Sequence, residues 1–139
     1  LVERIGELYA DSAEEGGHGF VRAIAPGVSL PGEEMQLTRL ITNLLDNALK
    51  YAPAGCTVTL SLEPGPVLVV ADDGPGVAVE DRPFIFDRFH RGASARGEGQ
   101  GAGLGLALAR AIAERHGLVL ALDPAARGAR FVISPEEPV

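Results

Sequence analysis

Three stretches of the chain place apolar residues at the three- and four-residue spacing that is typical of an α-helix with one buried face. Helices are predicted for residues 1–15, about 33–52 and about 103–116. Glycine follows the first and third stretches and Pro53 ends the second, as expected at helix ends. The second predicted helix has the longest apolar stripe, which consists of Leu37, Leu40, Ile41, Leu44, Leu45, Ala48 and Leu49.

Five shorter segments have the apolar pattern and the turn boundaries of β-strands. They are residues 19–25, 57–62, 67–71, 118–122 and 130–134. Helices and strands do not alternate regularly in this order, so the pattern favours an α+β fold with helices layered on a sheet over a doubly wound fold. No internal repeat or domain boundary is evident, and we expect a single domain over residues 1–139.

Composition and charge exclude several classes of function. The 139 residues are 46% hydrophobic and 22% charged, which is typical of a globular domain. Twelve basic and nineteen acidic residues give a net charge of −7, which argues against nucleic-acid binding. Cys56 is the single cysteine, so an internal disulfide and a cysteine-based zinc cluster are excluded, and we expect this side chain to be buried.

Membrane segments are not predicted from the hydropathy pattern. No apolar run reaches the roughly 18 residues of a membrane span, and the N-terminus lacks the pattern of a signal peptide. We therefore expect a cytoplasmic location and no membrane contact from this chain. Because the chain begins with Leu1 and not with Met, we also expect it to be part of a longer protein.

The second predicted helix carries four residues close to one face that could bind a ligand: Asn43, Asn47, Lys50 and Tyr51. Two carboxamide oxygens one turn apart suit a Mg²⁺ ion that already carries phosphate oxygens, and a lysine ammonium can contact a phosphate. Asparagine is a weak helix former, which favours a ligand-binding role for the pair. A solvated helix face is the alternative that the spacing alone leaves open.

The predicted strand at residues 67–71 runs directly into the sequence DDGPG at residues 72–76. A carboxylate at a strand end can accept a hydrogen bond from the exocyclic amine of adenine, whereas guanine presents an oxygen there. Asp72 is therefore a candidate for selecting adenine, and Gly74 and Gly76 would allow a close approach of the backbone. An ordinary turn with Asp-Gly and Pro-Gly is the alternative.

Residues 92–105 contain six glycines and lead into the third predicted helix. Neither a Walker A loop nor a Rossmann fingerprint is present, because the chain has no Gly-Lys pair and Leu106 stands where the third fingerprint glycine would be. Exposed amides before a helix N-terminus can still bind polyphosphate. Arg91 and Arg96 could add bidentate phosphate contacts, and Gln100 could add an oxygen to a metal. A flexible linker is the alternative.

These segments, in this order, resemble the four sequence boxes of the ATP-binding catalytic domain of sensor histidine kinases, which belong to the GHKL or Bergerat-fold ATPase superfamily. The N box corresponds to NLLDNALKY (43–51), the first glycine box to DDGPG (72–76), the F box to IFDRFHRG (85–92) and the second glycine box to GQGAGLGL (99–106). The resemblance covers residues 1–134 and implies a two-layer α/β sandwich, in which three helices cover one face of a mixed sheet of about five strands.

The resemblance also implies a site for ATP and Mg²⁺, with a lid at about residues 89–101. The Mg²⁺ ligands would be Asn43, Asn47 and Gln100, with Asn47 as the main one. The phosphate ligands would be Lys50, Arg91 and Arg96, and the catalytic residues Asn43, Asn47 and Lys50. The other nucleotide-binding residues would be Tyr51, Asp72, Gly74, Gly76, Gly101, Gly103, Leu104 and Gly105.

The function that the resemblance implies is a protein histidine kinase. It would transfer the γ-phosphoryl group of Mg-ATP to a histidine on a separate dimerisation domain of the same full-length protein, a membrane-anchored sensor that signals to a response regulator. Asn43 stands where hydrolytic relatives and anti-sigma-factor serine kinases have glutamate, so the site lacks a base to activate water, which suits transfer to an imidazole.

None of the three histidines, His18, His90 and His116, lies in the HExxxP-like segment of a phosphoacceptor helix. We therefore expect the dimerisation and phosphoacceptor domain to be absent from this chain. Two alternatives remain open: a serine kinase of the anti-sigma-factor type from the same superfamily, and a degenerate module that senses a nucleotide without transferring phosphate.

Overall fold

The computed structural model describes residues 1–28, 30, 32–76, 82, 85–86, 105–123 and 128–135. Within these ranges the helices are Val2–Glu15 (α1), Glu34–Tyr51 (α2) and Gly105–Arg115 (α3). The strands are Gly19–Ile24 (β1), Thr57–Glu63 (β2), Val67–Asp72 (β3), Leu118–Leu122 (β4) and Arg130–Pro135 (β5). No helix in the described ranges is long and apolar enough to cross a membrane.

The strands form one mixed sheet in the order β1-β2-β3-β5-β4. β1 pairs with β2 in parallel, and the other three pairings are antiparallel. A parallel pair needs a crossover connection, which α2 supplies between β1 and β2. In the antiparallel pairing of β2 with β3, Asp72 lies opposite Val58, so the last residue of β3 is next to the start of β2.

The core lies between one face of the sheet and the helices. Alternate residues of each inner strand point to this face, as the two-residue period of a strand requires, and they are almost completely buried. They are Val58, Leu60 and Leu62 of β2, Leu68 and Val70 of β3, and Phe131 and Ile133 of β5. α2 adds Leu37, Leu40, Ile41, Leu44 and Leu45, which are between 0% and 2% exposed. Complete burial of each of these side chains contributes about 1.5–3 kcal/mol to folding, so this helix is held firmly against the sheet.

Both ends of α2 are closed by side-chain contacts. The Glu33 carboxylate accepts hydrogen bonds from the amides of Met35 (3.2 Å) and Gln36 (2.8 Å), which satisfies two amides of the first turn and places negative charge at the positive end of the helix dipole. At the other end His18 donates its Nε2–H to the Ala52 carbonyl oxygen at 2.7 Å. The last turn of α2 is thereby tied to the start of β1.

The predicted fold is confirmed: five strands in a mixed sheet and three helices are present in the described ranges. Most predicted ends agree to within one residue. The difference that matters for the site is at β3, which includes Asp72 in the strand rather than in the turn, because the Asp72 amide donates to the Ala129 carbonyl oxygen at 2.9 Å. The predicted start of the third helix at residues 103–104 lies outside the described residues.

Candidate functional site

Asn43 and Asn47 are half-buried on the second half of α2, next to the buried Leu44 and Ala48. The Asn43 carboxamide donates a long hydrogen bond of 3.4 Å to the carbonyl oxygen of Gly105, the first residue of α3. Within the described part of the chain, the Asn47 carboxamide has no hydrogen-bond partner. A half-buried carboxamide in this state can offer its oxygen to a ligand.

Lys50 and Tyr51 lie at the exposed end of α2. The Lys50 Nζ is 5.2 Å from the centroid of the Tyr51 ring, a cation–π distance, and the tyrosine remains 41% exposed. No ion pair of Lys50 is found among the residues that the structure describes. The end of the helix therefore presents a positive charge and an aromatic surface to solvent. Both lie about one turn beyond Asn47 and two turns beyond Asn43.

Asp72 ends β3 with its carboxylate half-buried. Its Oδ1 accepts a hydrogen bond from the Gly74 amide at 2.9 Å, so the side chain bends over the turn that follows the strand. The second oxygen, Oδ2, has no hydrogen-bond partner within the described ranges. Asp72 thus has one oxygen that orients the carboxylate and one that can accept a hydrogen bond from a ligand.

Asp73 connects this turn to β2, a role that sequence reasoning missed. Its Oδ1 accepts the Thr57 amide at 2.7 Å, and its own amide donates to the Thr57 carbonyl oxygen at 3.3 Å. The Asp73 carboxylate is therefore bound to β2, whereas the neighbouring Asp72 carboxylate is bound to the turn itself through the Gly74 amide. The only sequence signal was the pair of consecutive aspartates, which does not reveal which side chain bonds to β2.

The two glycines of this turn have structural reasons to be glycine. A Cβ atom on Gly74 would lie 3.0 Å from Asp72 Oδ1 and 3.5 Å from Cys56 Sγ. Gly76 has a φ angle of +79°, and a Cβ atom there would lie 2.9 Å from the Gly128 carbonyl oxygen. The need for glycine at position 76 thus follows from the fold itself and requires no close approach of a ligand.

Cys56 is half-buried and free rather than fully buried, so the prediction of a buried cysteine is wrong. The residue lies in the connection between α2 and β2, close to Gly74 of the turn after β3. Partial burial raises the pKa of the Cys56 thiol, and the nearby carboxylates of Asp73 and Asp72 raise it further. The thiol is therefore less reactive than that of an ordinary exposed cysteine.

The packing of α2 brings three of the predicted segments together. α2 packs against both β3 and α3. Asn43 contacts Gly105 directly, so two predicted nucleotide-binding residues that are 62 positions apart meet in space. The predicted site residues that the structure places are Asn43, Asn47, Lys50, Tyr51, Asp72, Gly74, Gly76 and Gly105.

The remaining predicted site residues lie outside the described residues: Arg91, Arg96, Gln100, Gly101, Gly103 and Leu104, together with the predicted lid. Phe86 of the F box is described. Its ring packs edge-on against Phe131 of β5, with centroids 6.1 Å apart, and the Arg110 guanidinium of α3 lies 5.1 Å from its centroid. The Phe86 ring therefore packs between β5 and α3.

The donor set of the α2 face suits a hard divalent cation. Within the described ranges, no group of three or more His, Cys, Asp or Glu side chains could hold a metal ion. The α2 face offers neutral carboxamide oxygens, which are weak ligands alone but are hard donors of the type that Mg²⁺ accepts beside phosphate oxygens and water. These carboxamide oxygens therefore fit a hard cation such as Mg²⁺ that arrives with a phosphate.

Comparisons with known proteins place this arrangement among ATPases. The family described as histidine kinase-, DNA gyrase B-, and HSP90-like ATPase matches residues 32–139, more than half of the chain. The signal transduction histidine-protein kinase/phosphatase MprB of Mycobacterium leprae is 36% identical over 132 residues, which are 88% of this chain and 25% of that protein. The chain thus spans a quarter of the length of that relative.

Two solved structures extend the likeness to the fold. The mycobacterial sensor histidine kinase MprB has a TM-score of 0.81 and 32% identity, and the match covers 99% of this chain and 95% of that one. Full-length ShkA in complex with AMPPNP has a TM-score of 0.74 and 30% identity, and the match covers 97% of this chain and 29% of that one. Both relatives therefore have the same arrangement of strands and helices over nearly all of this chain.

Proposed function

This chain belongs to the histidine kinase-, DNA gyrase B- and HSP90-like ATPase family, and from that premise we propose that it is the Mg-ATP-binding catalytic domain of a sensor histidine kinase. It transfers the γ-phosphoryl group to a histidine on a separate dimerisation domain of the same full-length protein. The observation that carries this proposal is the oriented Asp72 carboxylate, with one oxygen unpartnered in the described ranges, at the end of a strand packed against the asparagine-bearing α2.

Adenine recognition is assigned to Asp72. The Gly74 amide holds Oδ1 at 2.9 Å, which leaves Oδ2 to accept a hydrogen bond from the N6 amine of adenine. Guanine carries an oxygen at that position, and two acceptors facing each other repel. The site therefore selects ATP over GTP, and the complex of the relative ShkA with the ATP analogue AMPPNP supports a nucleotide ligand.

The triphosphate and its metal are assigned to α2 and to the start of α3. Asn47 and Asn43 offer carboxamide oxygens to Mg²⁺, and Lys50 offers its charge to the phosphates. Gly105 places the N-terminus of α3 beside Asn43, where a helix dipole favours negative charge. Gln100, Arg91 and Arg96 complete this assignment from outside the described residues. When bound, Mg²⁺ neutralises charge that develops on the transferred phosphoryl group.

The absence of a carboxylate at position 43 favours transfer over hydrolysis. An asparagine carboxamide cannot accept a proton from an attacking water, so α2 positions the nucleotide without activating water. An imidazole is already a strong nucleophile, and positioning with charge neutralisation suffices for its attack. Asn43 thus favours phosphoryl transfer to the acceptor histidine over hydrolysis of ATP by water.

The acceptor histidine is proposed to lie outside this chain. The two described histidines already serve the fold: His18 donates to the Ala52 carbonyl oxygen at 2.7 Å, and His116 donates its Nδ1–H to the Ile112 carbonyl oxygen at 2.8 Å. The partners of the full-length protein are then its own histidine-bearing dimerisation domain and a response regulator. We place this domain on the cytoplasmic side of a membrane-anchored sensor.

Calorimetric titration with ATP, GTP and a non-hydrolysable ATP analogue, each with and without Mg²⁺, tests the nucleotide site. We expect ATP and the analogue to bind, GTP to bind more weakly, and Mg²⁺ to change the affinity for ATP. Equal affinities for ATP and GTP would contradict the assignment of Asp72, and no binding of any nucleotide would contradict the proposed function.

Incubation of the longer protein with γ-labelled ATP tests the transfer step. The label should appear on the protein and should be lost in acid, because a phosphate on histidine is acid-labile. An acid-stable label would indicate a serine kinase instead, and binding without any label would indicate a module that only senses the nucleotide.

A further inference from the structure

Gly128 lies two residues before the start of β5, outside every segment predicted to bind the nucleotide. Its φ angle is +78°, in the left-handed region that favours glycine. Its backbone is packed against the turn that presents Asp72. A Cβ atom on Gly128 would overlap the Asp72 carbonyl oxygen and would lie 3.2 Å from the Asp73 Cα.

The contact between the two segments is reciprocal. A Cβ atom on Gly76 would lie 2.9 Å from the Gly128 carbonyl oxygen and 3.0 Å from its carbonyl carbon. The next residue along, Ala129, accepts the Asp72 amide at 2.9 Å and so extends the pairing of β3 with β5 by one hydrogen bond. The backbones of two glycines, Gly76 and Gly128, therefore lie directly against each other beside the turn that follows β3.

The opposite side of the same turn is held by β2. The Thr57 amide donates to Asp73 Oδ1 at 2.7 Å, and the Asp73 amide donates to the Thr57 carbonyl oxygen at 3.3 Å. The turn after β3 is thus clamped between Thr57 and Gly128. A shift of the backbone on the Gly128 side cannot be absorbed towards β2 without breaking these hydrogen bonds.

We propose that Gly128 is a positioning residue for adenine recognition, because its bare backbone sets the position of the Asp72 main chain and hence of the Asp72 carboxylate. This inference rests on the proposed function of the site. Gly128 itself needs no contact with the nucleotide. Its role is to let β5 approach the end of β3 closely enough for the Asp72 carboxylate to face the base.

The substitution Gly128→Ala tests this role, with Gly27→Ala as the matched control. Gly27 has a φ angle of +77°, so alanine meets the same backbone strain there, but no atom lies within 4 Å of its would-be Cβ. Gly27 follows β1, at the end of the sheet away from Asp72, since Ile24 pairs with Leu62 and Leu62 with Leu68 near the start of β3.

The second variant, Gly128→Asn, separates strain from contact. Asparagine adopts positive φ angles far more readily than alanine, so it restores the backbone conformation, yet it still carries a Cβ atom. A residue that matters only for backbone strain would be rescued by asparagine. A residue that matters for the close approach would not.

Calorimetry with ATP and GTP is the measurement, with a urea titration of each variant to record folding. We expect both Gly128 variants to bind ATP about 10-fold or more weakly, as for one displaced hydrogen bond to a charged group. Their affinity for GTP should not change, so the ratio of ATP to GTP affinity should fall. Gly27→Ala should keep the nucleotide affinities of the unsubstituted protein.

Three results would overturn the proposal: an unchanged ATP to GTP ratio in Gly128→Ala, rescue of that ratio by Gly128→Asn, or failure of both Gly128 variants to fold while Gly27→Ala folds. The last result would assign Gly128 to folding rather than to recognition. The assignment of Asp72 to adenine fails separately, if the unsubstituted protein itself shows no preference for ATP over GTP, and the proposed function fails if that protein binds no nucleotide.

Discussion

The substitution Asp72→Asn tests adenine recognition with little change of shape. An asparagine keeps the Oδ1 acceptor that the Gly74 amide contacts at 2.9 Å, so the turn after β3 retains its hydrogen bond. The change falls on the other branch of the side chain, where an acceptor oxygen becomes an NH₂ donor. That donor would face the donor amine of adenine, and the negative charge would be lost as well.

The expected effect follows from the strength of the lost contact. A hydrogen bond to a charged group contributes about 1.5–3 kcal/mol. Its loss should therefore weaken ATP binding by about 10- to 100-fold, at 1.4 kcal/mol per tenfold change in affinity. Affinity for GTP should stay the same or rise, because the asparagine NH₂ can donate to the guanine oxygen.

Asp73→Asn is the matched control in the same turn. It removes one negative charge from the adjacent residue and keeps the Oδ1 acceptor for the Thr57 amide. General electrostatic effects of the substitution should be equal in the two variants, whereas only Asp72 is assigned a contact with the base. We expect Asp73→Asn to bind ATP within about threefold of the unsubstituted protein.

Calorimetric titration of the three proteins with ATP and with GTP gives the affinities, and circular dichroism confirms that each protein is folded. If Asp72→Asn binds ATP with unchanged affinity, the carboxylate is not part of the site. If Asp73→Asn loses as much affinity as Asp72→Asn, the effect is one of charge, and the reasoning from the orientation of the two carboxylates is refuted.

Three further predictions follow from the described contacts. Asn47→Asp adds a negative charge beside the phosphates, so calorimetry without Mg²⁺ should show ATP binding weakened about 10-fold, with a larger gain on adding Mg²⁺; identical titrations for both proteins would contradict the metal assignment. Burial and the 2.8 Å hydrogen bond to Asp46 raise the pKa of Tyr9 above its ordinary value of 10.0, so this contact stabilises the fold below pH 10 and loses its effect as the pH rises further. Tyr9→Phe should lower the free energy of unfolding by about 1 kcal/mol at pH 7, and urea titrations at pH 11 should show a smaller difference. Asp73→Asn removes a charge that raises the pKa of the Cys56 thiol, so iodoacetamide at pH 8 should alkylate Cys56 faster in this variant, as followed by mass spectrometry; an unchanged rate would show that Asp73 has no such influence.

The elements of the fold were predictable because each depends on neighbours in the sequence. The apolar stripe of α2 and the alternation of β2 reflect the 3.6- and 2-residue periods of a helix and a strand. Glycine and proline end these patterns, and Glu33 caps the start of α2, through local backbone chemistry. One boundary differed for a non-local reason: β3 includes Asp72, because a hydrogen bond to Ala129 extends the strand.

For the candidate site, the sequence predicted types of residue and left their contacts open. Spacing and order pointed to Asn43, Asn47 and Asp72 as ligand-binding residues, and the structure places them on two elements that pack together. Sequence reasoning did not identify Asp73 as the residue that holds the turn. It also assigned the glycine at position 76 to ligand approach, whereas contact with Gly128 already requires it.

The sequence by itself determined the helices, the strands, the likeness to a family of ATPases and the kinds of side chain available for a nucleotide. Only the tertiary structure decided which oxygen of Asp72 accepts the Gly74 amide, which glycine supports the turn and how Asn43 reaches Gly105 across 62 positions. The physical reason is the range of the interactions. Periodicity and capping act over a few residues, whereas the contacts that orient a binding group join strands and helices that are distant in the chain.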